Sequence, residues 1–152
     1  MTDVRVRRFL QEPATEQSIE NLHGLLDQLW IDADFVPPLD QMAFTTAVVE
    51  AASNVVQHGV PAAETPLLLG VELSVEPGRL CAVISEIGAA PLHSVPQLFA
   101  PDGASPECVL EESYRESGRG LSMIRALVST VTVERQGNTN RWVLSRESAP
   151  EN

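Results

Sequence analysis

The sequence predicts an α/β domain, a two-layer sandwich in which a mixed, largely antiparallel sheet is covered on one face by helices. Three observations predict it. Two stretches with helically spaced apolar residues, Glu16–Trp30 and Phe44–Gly59, come early; two hairpin patterns follow, Leu67–Ile87 and Val131–Ser145; a third helical pattern, Leu121 to Val128, lies between the hairpins. With 152 residues, of which 43% are hydrophobic, the chain has the size of one domain and enough apolar mass for a core. Neither an internal repeat nor a linker divides it, so residues 1–152 read as a single domain.

The elements can be justified in order. Val4, Val6 and Phe9 alternate with charged residues, a short strand pattern suited to a sheet edge. After Pro13, Thr15 and Ser18 form a loose cap for a helix from Glu16 to Trp30, whose Ile19, Leu22, Leu25, Leu26 and Leu29 recur at helical spacing. Pro37-Pro38 breaks the chain, Asp40 can cap the next helix, and Gly59 can end it. Leu69, Val71, Leu73 and Val75 share one face of a strand that turns at Pro77-Gly78 into Leu80–Ile87, apolar on both faces and so central. From Gly88 to Ser117 prolines are scattered among acidic and small residues, the character of a functional lid or a disordered insertion, read here as a lid over residues 88–117. Gly118-Arg119-Gly120 opens the third helix. A last hairpin turns at Gly137-Asn138, and Glu147 to Asn152 read as a frayed tail.

Charge and composition exclude several function classes. The chain carries 21 acidic and 10 basic residues for a net charge of -11, so the basic patch that drives nucleic-acid affinity is missing. All the basic residues are arginine, which removes the lysine of P-loop enzymes and of ordinary protein kinases. Cys81 and Cys108 lack metal or redox spacing and fit reduced thiols. The first residues, MTDVRVRRFL, contain no long apolar run, so neither a signal peptide nor a membrane span is expected and the expected location is cytoplasmic.

The chemistry-bearing residues gather in three places. On the second helix Glu50, Asn54 and His58 follow at four-residue steps and form one polar file, which Ala43 and Ala47 share and leave room beside. A carboxylate there can orient or deprotonate a hydroxyl, and an asparagine oxygen can ligate a hard cation such as Mg²⁺. An isolated Glu-x-x-x-Asn is more often a solvated helix edge; it gains weight only beside a nucleotide-binding turn. Gly118-Arg119-Gly120 supplies one, since backbone N–H groups at a helix start favour phosphate. The third place is Glu86-Ile87-Gly88, at the end of the central strand. The glutamates Glu107, Glu111, Glu112 and Glu116 read as a solvated face.

In this order and spacing the three elements resemble the GHKL ATPase superfamily, with its Bergerat-type fold, and most closely its anti-sigma factor serine/threonine kinase branch. The likeness spans nearly the whole chain. It implies ATP and Mg²⁺ as cofactors, Asn54 as the Mg²⁺ ligand and Glu50 as the general base. Gly118 and Gly120, followed by Leu121, match the glycine turn at the phosphates. Arg119 is the candidate for neutralising the transferring phosphoryl group, a catalytic role beside Glu50. His58 falls where the family helix often carries a histidine, with helix-end packing an equal contender. The resemblance also implies an anti-sigma factor antagonist as phosphoacceptor, a sigma factor as sequestered partner, and a homodimer. One departure stands out. The family strand ends in Asp-x-Gly-x-Gly, its aspartate accepting a hydrogen bond from the adenine amino group, whereas this chain has Glu86-Ile87-Gly88-Ala89-Ala90. The alternative is a catalytically inactive partner-binding module on the same scaffold, and Glu86 is the residue that divides the two. A sensor-kinase fragment ranks last, for want of a hairpin bearing a phosphoacceptor histidine.

Overall fold

The computed structural model describes residues 5–91 and 118–148, with the backbone alone for 118–121. Most of the expected lid, the glutamates from Glu107 to Glu116, and Cys108 lie outside the described residues. The elements run β1 (Val6–Pro13), α1 (Glu16–Asp32), α2 (Pro38–His58), β2 (Leu68–Glu76), β3 (Arg79–Ile87), α3 (Gly118–Leu127), β4 (Thr130–Gln136) and β5 (Thr139–Glu147). The sheet has five strands in the order β1-β2-β3-β5-β4, so β3 is central as its two-sided apolar pattern requires. Every pairing is antiparallel, where a mixed sheet was also allowed for.

Period two decides which face is covered. Leu69, Val71, Leu73 and Val75 of β2, Leu80, Ala82 and Ile84 of β3, and Trp142 and Leu144 of β5 are buried in one core with Leu22, Leu26 and Leu29 of α1 and Phe44, Val48, Ala52 and Val55 of α2. Ile124 of α3 closes it. The opposite face is left uncovered by these helices, and Phe9 belongs to it at 64% exposure. That corrects its expected partnership with Val6: residues an odd number apart on a strand face opposite ways, and Leu10 takes the inward position. Cys81, a free thiol, also lies on the open face.

Local chemistry sets the boundaries. Ser18, buried at 1% exposure, accepts from the Thr15 backbone N–H at 3.1 Å and donates to the Pro13 carbonyl, tying β1 to the start of α1. Pro37, not Asp40, is the N-cap of α2, because Pro38 at the first helical position begins the helix earlier. Asp40, in the first turn, instead accepts from Arg146 Nε at 3.0 Å and Nη2 at 2.8 Å and from the Ser148 hydroxyl at 3.1 Å. The tail therefore begins later than expected: β5 runs through Glu147, and the Ser148 N–H reaches the Gly78 carbonyl at 3.0 Å. Gly59 ends α2 as expected, though by close approach: a Cβ there would collide with the Leu67 side chain and the Val55 carbonyl.

Candidate functional site

Helix α2 packs across β2, β3 and β5 and lies against α3, so the polar file and the glycine turn stand on neighbouring helices. Glu50 is partly buried, Asn54 is buried at 8% exposure, and His58 is the partly buried last residue of the helix. At about 1.5 Å per residue, the file from Glu50 to His58 spans roughly 12 Å. Ala43 and Ala47 do not leave open room beside it; they are buried, at 6% and 0% exposure.

The end of β3 is stitched to the loop after α2. Beyond the strand, Gly88 adopts φ +79°, which lets the chain turn where an L side chain would be strained. Its carbonyl accepts from the Ala62 N–H at 2.9 Å, the Ala90 N–H reaches the Val60 carbonyl at 2.7 Å, and Pro61 and Ala89 form an isolated antiparallel bridge. On the other side, the N–H groups of Gly88 and Ala89 both donate to the Asn138 carbonyl, at 3.0 and 2.9 Å. Gly88 is thus the fixed corner between the loop after α2 and the β4–β5 turn.

Glu86 is the most deeply buried carboxylate on the inward face, at 3% exposure. Its neighbour across the sheet is Asn140 of β5, whose amide nitrogen donates to Glu86 Oε2 at 3.0 Å and to the Ala90 carbonyl at 2.8 Å. Arg135 of β4 donates to Asn140 Oδ1 at 2.9 Å and to the Ala89 carbonyl at 3.0 Å. Burial pushes the Glu86 carboxyl above its ordinary value of 4.5, opposed by hydrogen bonding from Asn140 and Trp142 and by the charge of Arg135. Among the described residues, the hydrogen bond that Asn140 gives this carboxyl group comes from a neutral amide and not from a guanidinium.

Gly118 and Gly120 form the first turn of α3, so its unsatisfied backbone N–H groups belong to the glycine sequence, as expected. Arg119 and Leu121 sit in that turn by backbone position; their side chains lie outside the described residues. Among the described residues no group of three or more His, Cys, Asp or Glu side chains could hold a metal. No helix among the described residues is long and apolar enough to cross a membrane.

A shallow concavity of about 640 Å³ lies on the opposite, open face of the sheet, lined by Phe9, Gly70, Val83, Ile87, Arg141 and Val143 among others. Of the constellation's described residues only Ile87 borders it; Glu50, Asn54, His58, Glu86 and Gly88 do not. Two residues of the inward network, Asn140 and Arg135, were not singled out from the sequence. Their signal was parity: Asn140 occupies the same strand face as Trp142 and Leu144, where an apolar side chain is expected.

Residues 12–144 match the family model described as the histidine kinase-like ATPase domain. Among solved structures, the chain is similar to the RsbU and RsbW domains of a Mycobacterium tuberculosis protein, with 17% sequence identity and a TM-score of 0.64. The match covers 97% of this chain and 34% of that one, so this chain spans about a third of that structure's length. No curated protein matches.

Proposed function

The chain belongs to the histidine kinase-like ATPase domain family, a GHKL superfamily member with an ATP-binding fold, and on that premise we propose that it is a serine/threonine kinase of the anti-sigma factor type. It phosphorylates an anti-sigma factor antagonist and, in the alternate partner state, sequesters a sigma factor, as a homodimer. Three features on the helix-covered side of the sheet support this reading. They are a buried Asn54 with Glu50 one turn away, the Glu86–Gly88 corner tied to the loop after α2, and the glycine start of α3, a helix that packs against α2. Likeness to a structure containing an RsbW domain supports the same regulatory setting.

The residues present fit the groups the reading requires. ATP with Mg²⁺, when bound, supplies the phosphoryl group and neutralises its charge. Asn54 offers the oxygen a hard cation prefers, and the N–H groups of Gly118 to Gly120 suit the phosphates. Glu86 offers an acceptor to the amino group of adenine, and Arg119 adds positive charge. Glu50 takes the proton of the attacking serine or threonine hydroxyl. Phosphoryl transfer needs positioning and charge compensation more than covalent help, so this set suffices.

Calorimetric titration with MgATP, followed by radiolabel transfer to candidate antagonist proteins, tests the reading. Asn54→Ala is expected to lose MgATP binding. Glu50→Ala is expected to keep it while transfer falls on the order of 10²-fold or more, the range for a lost general base. If the wild type binds no nucleotide, the chain is a partner-binding module. If Glu50→Ala loses binding itself, the carboxylate is structural.

A further inference from the structure

We infer that Asn140, locked by Arg135, is the positioning residue that fixes which end of the residue-86 side chain meets the nucleobase, and so sets the base preference of this site. The inference rests on Glu86 as the acceptor for the base and adds what holds that acceptor in place.

The orientation of the Asn140 amide follows from its partners. Arg135 has only donors, and its Nη1 lies 2.9 Å from Oδ1, so that atom is the carbonyl oxygen. Glu86 Oε2 and the Ala90 carbonyl are acceptors at 3.0 and 2.8 Å from the other terminal atom, which must be the NH₂. A flipped amide would set donor against donor and acceptor against acceptor. At 2% exposure Asn140 is largely shielded from the solvent that could relieve such a clash. The group is therefore a one-way donor toward residue 86.

Oε2 of Glu86 is committed to that donor, so on the reading of Glu86 as the base acceptor the other oxygen, Oε1, meets the base. A carboxylate oxygen has two acceptor sites, so the indole of Trp142, which also bears on this carboxyl, does not exhaust it. A 6-amino base donates to Oε1. A 6-keto base sets oxygen against oxygen. The added methylene that separates Glu86 from the family aspartate gives the carboxyl the reach to meet Asn140 on β5, so the longer side chain and the asparagine act as one unit.

The geometry makes Glu86→Gln informative. Asn140 can only donate, so it holds the glutamine by its carbonyl oxygen and turns the NH₂ toward the base. Wild type is expected to bind MgATP more tightly than MgITP, which carries a 6-keto group. E86Q is expected to reverse the order, each preference being about tenfold, the effect of one mismatched buried hydrogen bond. Arg135→Gln frees the Asn140 amide and narrows the wild-type preference. Both nucleotides are titrated into each full-length variant by calorimetry, with circular dichroism melts as the folding control.

A merely structural Asn140 predicts weaker binding of both nucleotides with their ratio unchanged, and an unchanged ratio in E86Q overturns the inference while the kinase reading stands. A wild type that binds neither nucleotide overturns both. Should E86Q fail to fold, an unaltered ratio in Arg135→Gln overturns the inference alone.

Discussion

Asn140 and Arg146 stand six residues apart on the inward face of β5, both polar where the strand should be apolar, and each meets a buried carboxyl group. Arg146 brings a full charge to Asp40 and carries a third bond, from Nη1 to the Leu127 carbonyl at 2.6 Å, onto the C-terminal end of α3. A cation at that end suits the helix dipole, and Asp40 in the first turn of α2 suits the opposite one. Ser148 satisfies the other Asp40 oxygen. At the far end of the strand Asn140 gives Glu86 an amide dipole and no charge. One end of β5 is thus a closed clamp that fixes the helices to the sheet. The other holds its buried carboxyl group by a neutral amide, the kind of environment that marks a candidate site rather than a joint.

The largest expected effect comes from breaking the clamp. Asp40→Ala leaves the Arg146 guanidinium, at 21% side-chain exposure, facing a gap between α2 and α3. The loss is expected to be about 3 kcal/mol, read as a lower denaturant midpoint at unchanged slope. MgATP affinity measured below the unfolding transition is expected to change little. A loss of binding with stability intact would reverse the roles assigned to the two ends.

Glu86 responds to pH in the opposite sense to a paired carboxylate. Its folded value is raised, so the native state holds the proton more tightly than the unfolded chain does. Below the ordinary glutamate value both states are protonated and nothing is lost; as pH rises through that value toward the raised one, the unfolded state ionises first and stability falls. Glu86→Gln removes this slope. The variant is expected to match wild type in mildly acidic buffer and to exceed it by about 1 kcal/mol at neutral pH, the gain seen when an undercompensated buried charge is neutralised. Thermal melts across that range check it, and equal pH slopes in the two proteins would show that Glu86 is compensated after all.

The contrast also explains what could be read from the sequence. The sheet, its central strand, both hairpin turns and all three helices follow from spacing, because period two and period 3.6 are imposed by the core on every residue of an element. The polar file of Glu50, Asn54 and His58 is legible for the same reason: it lies on one helix. Asp40 was misplaced as a cap because its partner Arg146 is 106 residues away, and no local rule carries a contact of that range. Asn140 was passed over likewise, since its value lies in two neighbouring strands. Sequence reading saw Glu86 as a departure from a pattern. The pairing of β3 with β5 shows what the departure meets.

The smallest expected effect sharpens the comparison by holding chemistry constant while burial changes. Arg5 and Glu76 pair at 3.0 Å, close to the 2.8 Å of Arg146 and Asp40, but their side chains are 52% and 39% exposed against 21% and 10%. Water screens the exposed pair and takes over its hydrogen bonds when it breaks, whereas the buried arginine has no such replacement. Arg5→Ala is therefore expected to cost about 0.5 kcal/mol or less and to lose even that in high salt. Asp40→Ala keeps most of its effect in the same buffer. If the two variants were equally destabilised and equally sensitive to salt, burial could not be what separates the clamp from an ordinary surface pair, and the distinction between the two ends of β5 would lose its physical basis.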